Sequence, residues 1–168
     1  HGDAARLRQL IADGVAQENA ESYEAYKRDV AVNAWAPRFE GSIADEVYES
    51  TSRILMQNLR AQLAQQGIPY EDFVARQGGE QQMSMMMMLQ TRESLVQGYV
   101  LDAVYRHEGL EVTEKDLLDA ARTMSPQDPQ GFKTYMEQHG RTFALRETAE
   151  RMVANTWILE NAEIEYID

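Results

Sequence analysis

Apolar residues recur mostly at helical intervals along this chain, and few helix breakers interrupt them. Between Asp3 and Ala36 there is no proline, and the apolar spacing predicts one long first helix. Pro37 is expected to end or kink that helix, because proline has no amide hydrogen to donate within it. The apolar positions of this stretch are Leu7, Leu10, Ile11, Val15, Tyr23, Tyr26 and Val30.

A second helix is predicted to begin after Ser42, because serine commonly caps helix N-termini. Asp45 and Glu46 then place negative charge at the positive end of the helix dipole. Gly67 is expected to end this helix, and a turn and a short third helix follow. The apolar stripe of the second helix is Ile43, Val47, Ile54, Leu55, Leu59 and Leu63.

The fourth predicted helix, about Gln81 to His107, carries five methionines among residues 83–88. A helical wheel at about 100° per residue divides them between two faces. Two lie on an apolar face that only Arg92 interrupts, which predicts that they are core residues. Three lie on an otherwise polar face, where they fit a further buried helix contact, a self-association contact or an adaptable binding surface. The predicted core pair is Met85 and Met88, and the polar-face set is Met83, Met86 and Met87.

The clearest local pattern in the chain surrounds Thr113. Thr113 as N-cap and Asp116 at the third helical position predict a capping box with a short-armed acid. Val112 and Leu117 flank the cap at the spacing of a hydrophobic staple. A helix is therefore predicted to begin directly after Thr113.

Two prolines interrupt the pattern after that helix, and a short helix that ends at Gly140 is predicted next. A last helix is predicted from about Thr142 to Asn161, and residues 162–168 alternate like a short extended tail. No segment has the pattern of a central strand, so the predicted fold class is all-α.

Composition places the chain among single globular domains: it has 168 residues, a mass of 19.2 kDa and a formal charge of −12. That acidic excess disfavours binding to nucleic acid. No apolar run approaches the ~20 residues that a membrane span needs. Cysteine is absent, which fits a reducing cytoplasm and excludes disulfides and thiol catalysis. The chain opens at His1 without an initiator methionine or a signal peptide, so we expect a processed chain or an excised fragment.

Enzyme and metal motifs are absent from the sequence. The adjacent pair His107 and Glu108 fits surface residues at a helix end better than an acid–base pair, because neighbouring helical residues point away from each other. The acidic clusters near Glu46 and Glu163 lack the spacing of a calcium loop, and no glycine-rich phosphate loop is present. We therefore predict no catalytic residue, no cofactor and no metal.

Four stretches in order carry a family resemblance: residues 43–47, 63–73, 96–104 and 107–117. The third and fourth, a helix followed by an acidic turn and a Val-Thr-Glu segment, are the most specific. In this order they resemble the C-terminal domain of trigger factor, the bacterial ribosome-associated chaperone, and the helical domain of the related SurA-like chaperones. The chain departs from that pattern at residues 39–42, where the family usually has a proline before the second helix.

The resemblance implies one domain over residues 1–168, an elongated all-α body with a long linker helix and protruding arms. It implies an ATP-independent holdase that binds unfolded or nascent polypeptides in a helical cradle. Ribosome binding and proline isomerisation would belong to domains that this chain lacks. The implied compartment is the cytoplasm, or the periplasm or cell surface if a signal peptide lies upstream. The candidate polypeptide-binding residues are Met83, Met86, Met87, Tyr70, Phe73, Phe132, Tyr135 and Met136.

A second interpretation comes from another functional class. The same arms would serve a structural or assembly domain that locks onto one fixed protein partner, or onto a second copy as a weak homodimer. A cradle binds many unrelated unfolded chains weakly, whereas an assembly domain binds one folded partner tightly.

Overall fold

The computed structural model describes residues 2–163 and 165, and the side chains of residues 6, 9, 11–20, 22–163 and 165. Within that part of the chain there are helices and no strand, which confirms the predicted all-α class. The elements are α1 (Gly2–Asn33), a 3₁₀ turn (Ala36–Arg38), α2 (Asp45–Gln65), α3 (Tyr70–Arg76), α4 (Glu80–His107), α5 (Glu114–Met124), α6 (Pro129–Gln138) and α7 (Thr142–Glu160).

The two ends of the chain follow the prediction as far as they are described. α1 is a single long helix, and Pro37 lies in the 3₁₀ turn that follows it. Ala162, Glu163 and Glu165 belong to no helix. The remainder of the predicted tail, and the side chains of Leu7 and Leu10, lie outside the described residues.

The predicted cap at Ser42 is wrong. α2 begins three residues later, with Ala44 in extended conformation at the N-cap position and no side-chain cap. Asp45 and Glu46 occupy the first turn, where their charge favours the helix N-terminus without a capping hydroxyl. The predicted end is correct: Gly67 has a φ of +69°, and the amide of Ile68 reaches back to the carbonyl of Leu63 at 2.9 Å.

The chain divides into two compact units. One consists of residues 36–100 and is called here the central unit. The other combines residues 1–35 with residues 101–168 and is called the terminal unit. Each contains its own buried side chains, and each is described by itself.

The core of the central unit forms where α2, α3 and the first turns of α4 bring apolar side chains together. Its buried members are Val74, Met83 and Met87. A polar residue, Thr91, is also fully buried, and its hydroxyl donates to the carbonyl of Met87 at 2.7 Å. Because that hydrogen bond satisfies the hydroxyl, threonine is tolerated there. Partly buried side chains around this core are Leu55, Met56, Leu59, Tyr70, Phe73 and Met86.

The core of the terminal unit is built largely from small side chains. α5 packs against α6 and α7, and α1 packs against α7. Alanines at the centre allow the helix backbones to approach closely. The fully buried members are Ala120, Ala121, Leu145 and Ala149, with Val112, Leu117, Phe132 and Met152 packed around them.

An ion pair joins α7 to the last turns of α4 within the terminal unit. The guanidinium of Arg151 donates to both carboxylate oxygens of Asp102, at 2.9 and 3.0 Å. The same guanidinium lies 2.8 Å from Glu147. A two-pronged pair of this kind fixes the relative direction of both side chains.

The capping box at the start of α5 is confirmed. The hydroxyl of Thr113 accepts from the amide of Asp116, and the amide of Thr113 donates to the Asp116 carboxylate at 2.8 Å. The hydroxyl also donates to that carboxylate at 2.6 Å. These bonds from Thr113 lower the pKa of Asp116 below its ordinary value of 3.8.

Candidate polypeptide-binding surfaces

The predicted division of the methionines between two faces of α4 is confirmed, but the face predicted as core is the exposed one. Of the three alternatives for Met83, Met86 and Met87, the structure bears out the buried helix contact. Met83 and Met87, expected on the polar face, are 1% and 4% exposed. Met86 is half-buried beside them. Met85 and Met88, expected in the core, are 52% and 53% exposed. The core face was assigned wrongly because a single helical wheel averages over the whole helix, whereas the buried side of α4 changes along its length.

The buried side of α4 turns between its first and middle segments. Near the start it holds Met83 and Met87, where α2 and α3 cover the helix. Further along, the buried residues include Val96 and Val100. On the wheel, Val96 lies about 140° away from Met83. An averaged wheel therefore assigned the face of Val96 to the whole helix.

Tyr70 and Phe73, two of the candidate binding residues, lie with the methionines in one packed cluster. Both rings pack partly buried against the core of the central unit. The guanidinium of Arg60 lies 4.4 Å from the centre of the Tyr70 ring, which is a cation–π contact. These two rings therefore support α3 on α4 and present only part of their surface.

Three exposed apolar side chains follow one another along α4: Met85, Met88 and Leu89, the last 61% exposed. We call them the methionine strip. Met88 and Leu89 follow Met85 by three and four residues, so each is a neighbour of Met85 on the helix surface. The hydroxyl of Tyr48 donates to the carbonyl of Met88 at 2.9 Å, which holds α2 against this part of α4. Arg92, the one charge on the predicted core face, was the sequence sign that this face meets solvent.

The three predicted residues of α6 have different environments. Met136 is buried, and Phe132 packs partly buried against the core of the terminal unit. Tyr135 is exposed, and its ring lies 4.1 Å from the ring of His139, centre to centre. Phe143, which the sequence reasoning did not single out, is the more exposed aromatic residue at the start of α7.

A larger surface that the sequence reasoning missed is a groove of about 650 Å³ in the terminal unit. We call it the aromatic groove. It lies between the second half of α1 and the end of α7, and it contains both tryptophans of the chain. Its size is that of a ligand pocket. Its lining residues are Tyr23, Tyr26, Lys27, Val30, Ala31, Ala34, Trp35, Trp157, Ile158, Asn161, Ala162, Glu163 and Glu165.

The aromatic groove combines open apolar faces with charged groups. Tyr26 is 65% exposed and Val30 is 50% exposed, whereas Ile158 is buried. Lys27 lies 5.1 Å from the centre of the Tyr23 ring and is paired with Glu24. Large apolar side chains left open to water favour association with other apolar groups.

The sequence contained a sign of this groove, though not its location. Tyr23, Tyr26 and Val30 belong to the apolar stripe of the first predicted helix. Trp35 and Trp157 are far apart in the sequence, and only the packing of α1 against α7 brings them to one site. Periodicity within one helix could not show that pairing.

Neither a metal centre nor a membrane span is found in the part of the chain that the structure describes. There, no three His, Asp or Glu side chains converge as metal ligands would. The described helices also lack the length and apolar content that crossing a membrane requires.

Comparison with known proteins gives the family. The family model described as "Bacterial trigger factor protein (TF) C-terminus" matches residues 3–160. The chain belongs to this family. It is a chaperone-related domain, as the resemblance implied.

One curated relative illustrates how much of a family member this chain represents. Trigger factor of Pelotomaculum thermopropionicum is 24% identical over 153 residues. The match covers 89% of this chain and 34% of that protein, so the chain spans about a third of the length of this relative. No solved structure matches the chain.

Proposed function

We propose that this domain binds exposed apolar segments of unfolded or nascent polypeptides without ATP and so acts as a chaperone that prevents their aggregation. The observation that carries this proposal is the aromatic groove, whose tyrosine and valine side chains are open to solvent. Family membership supports the same class of activity. Aromatic and aliphatic surfaces attract apolar side chains with little regard to sequence, which suits a binder of many clients.

The clients that fit this groove best carry basic residues beside their apolar ones. Glu163 and Glu165 line the groove, and the chain as a whole has a formal charge of −12. Opposite charge raises the rate of encounter, and added salt screens it. Binding of such segments is therefore expected to weaken as the ionic strength rises.

The methionine strip is proposed as a second contact for clients. Methionine is unbranched and polarizable, so it adapts to apolar surfaces of different shape. Among the residues predicted from sequence, Tyr135 offers an exposed ring of the same kind. Weak apolar contacts of this type release a client by dissociation alone, and no nucleotide is needed.

Catalysis, ribosome contact and proline isomerisation are not part of the activity proposed for this domain. No catalytic residue takes part in it, and ribosome contact and proline isomerisation are assigned to segments other than residues 1–168. The proposed place of action is the cytoplasm. A domain of this kind acts on a polypeptide before it folds and leaves folded proteins alone.

A test of the proposal is aggregation of a chemically unfolded protein, followed by light scattering after dilution into the purified chain. We expect the parent chain to suppress aggregation. Tyr26→Ser/Val30→Ser, a variant of two exposed groove residues, is expected to suppress it less. The matched control is Ile11→Ser/Val15→Ser, which changes two residues of α1 with the same spacing outside the groove. These are 58% and 51% exposed, and the control is expected to suppress aggregation as the parent does.

The competing assembly function predicts other results. A domain that binds only one folded partner or a second copy would leave the aggregation of the unfolded test protein unchanged. It would instead sediment as a dimer, or form a tight stoichiometric complex with a single folded protein. Either result without suppression of aggregation contradicts the chaperone proposal.

A further inference from the structure

All the sulfur in this chain is methionine thioether, because the chain has nine methionines and no cysteine. Five of the nine lie within residues 83–88. Sulfur oxidation in this chain is therefore methionine oxidation, and its rate at each site follows exposure of the thioether. The structure divides these neighbouring methionines sharply by exposure.

Met85 and Met88 are half-open to solvent, with exposed fractions of 52% and 53%. They lie one helical turn apart on the methionine strip, beside Leu89. Met83 and Met87 precede each of them closely in sequence, yet are only 1% and 4% exposed because they pack with Val74. An oxidant in solution meets the first pair directly and the second pair only after local opening of the fold.

We infer that Met85 and Met88 are a site of reversible oxidation by hydrogen peroxide, and that oxidation weakens polypeptide binding at the methionine strip. This inference rests on the proposed function. It adds that peroxide regulates polypeptide binding at the methionine strip by modifying these two side chains.

The chemistry is an oxygen transfer that involves two electrons. The thioether sulfur attacks one peroxide oxygen, the O–O bond breaks, a sulfur–oxygen bond forms and water leaves. The sulfur is oxidised to sulfoxide, and the peroxide is reduced. Two thiols of a reductant reverse the change: they become a disulfide, and the sulfoxide oxygen leaves as water.

The consequence for binding follows from polarity. A sulfoxide is polar and accepts hydrogen bonds from water, so the oxidised strip loses much of its affinity for apolar client side chains. Loss of apolar contact at two side chains corresponds to about three- to tenfold weaker binding. The fold is expected to survive, because the thioethers of Met83 and Met87 in the core of the central unit are shielded.

The first part of the test locates the oxidation. The purified chain is treated with hydrogen peroxide, and sulfoxide is mapped on its peptides by mass spectrometry over time. Met85 and Met88 are expected to oxidise at least about tenfold faster than Met83 and Met87, which require local opening. Equal rates at the four sites, or faster oxidation of the buried pair, would overturn the inference.

The second part measures suppression of aggregation before and after peroxide, each protein against its own untreated sample. The parent is expected to lose activity, and Met85→Leu/Met88→Leu is expected to change little on treatment. Met124→Leu is the matched control, because Met124 is an exposed methionine of the terminal unit. It is expected to lose activity on treatment as the parent does.

A third variant reproduces the polarity of the sulfoxide without oxidant. Met85→Gln/Met88→Gln is expected to bind unfolded polypeptide about three- to tenfold more weakly than the parent does. Its circular dichroism spectrum is expected to be unchanged. If the untreated parent does not suppress aggregation, the proposed function fails and the inference fails with it. If the parent does suppress aggregation and keeps that activity with Met85 and Met88 fully oxidised, the inference alone fails.

Discussion

Met87 and Met88 are consecutive residues of α4, yet the first is 4% exposed and the second 53% exposed. Met87 packs in the core of the central unit and accepts, through its carbonyl, a hydrogen bond from Thr91. The carbonyl of Met88 accepts from Tyr48, while its side chain points to solvent. The segment thus supplies both the core of one unit and an exposed apolar surface.

The two kinds of methionine are expected to differ in their effect on stability. Met83→Ala and Met87→Ala should each lower the free energy of unfolding by about 2–5 kcal/mol, because each leaves a cavity in a packed core. Met85→Ala and Met88→Ala should change it by less than about 0.5 kcal/mol, since these side chains are exposed. Urea denaturation followed by circular dichroism measures all four. Equal losses for the two pairs would contradict the packing described here.

Removal of the α5 cap is the second expected loss of stability. Thr113→Ala should cost about 1 kcal/mol, and up to ~2 kcal/mol, because the amide of Asp116 loses its acceptor. Ser42→Ala is the matched control: Ser42 precedes α2 without capping it, so the change should stay within about 0.5 kcal/mol. Thermal unfolding of both variants compares them. A larger loss from Ser42→Ala than from Thr113→Ala would reverse the assignment of the caps.

The same cap predicts that the stability of the folded state depends on pH. Hydrogen bonds from the hydroxyl and amide of Thr113 lower the pKa of Asp116 in the folded state. A depressed carboxyl pKa contributes stability that is fully present above the ordinary pKa of the unfolded state. That contribution is lost as the pH falls through the lower, folded pKa.

Carboxyl chemical shifts measured by NMR across the acid range give the pKa of Asp116 directly. Thr113→Val removes the hydroxyl and should raise that pKa toward its ordinary value, whereas Thr113→Ser should keep it low. If valine and serine gave the same pKa as threonine, the hydroxyl would not be the cause of the shift.

Local chemistry determined which parts of the fold were predictable. The capping box at Thr113 and the glycine end of α2 at Gly67 depend on neighbouring residues, and both were predicted from the sequence. The cap at Ser42 failed because a suitable residue type does not fix where the helix begins. The two faces of α4 were separated correctly, but the core face was assigned wrongly, because α2 and α3 cover one side of its first turns and that contact is tertiary.

The candidate site was less predictable than the fold, for the same reason. Met83 and Met87 were chosen as binding residues from the helical wheel and Met136 from the family resemblance, and the structure buries all three. The aromatic groove depends on the approach of two segments distant in sequence, which no motif in either segment records. Exposure, which decides what a client can touch, is a property of the packed helices.

The central claim is that an apolar polypeptide segment enters the aromatic groove, and tryptophan fluorescence reports on it directly. Trp35 and Trp157 both line the groove and are the two tryptophans of the chain. A peptide without tryptophan that combines leucines with flanking lysines, titrated into the chain, is expected to shift their emission in a saturable way. The shift should weaken in Tyr26→Ser/Val30→Ser and persist in Ile11→Ser/Val15→Ser. An emission that stays constant through the titration, or one that responds equally in both variants, would contradict the account.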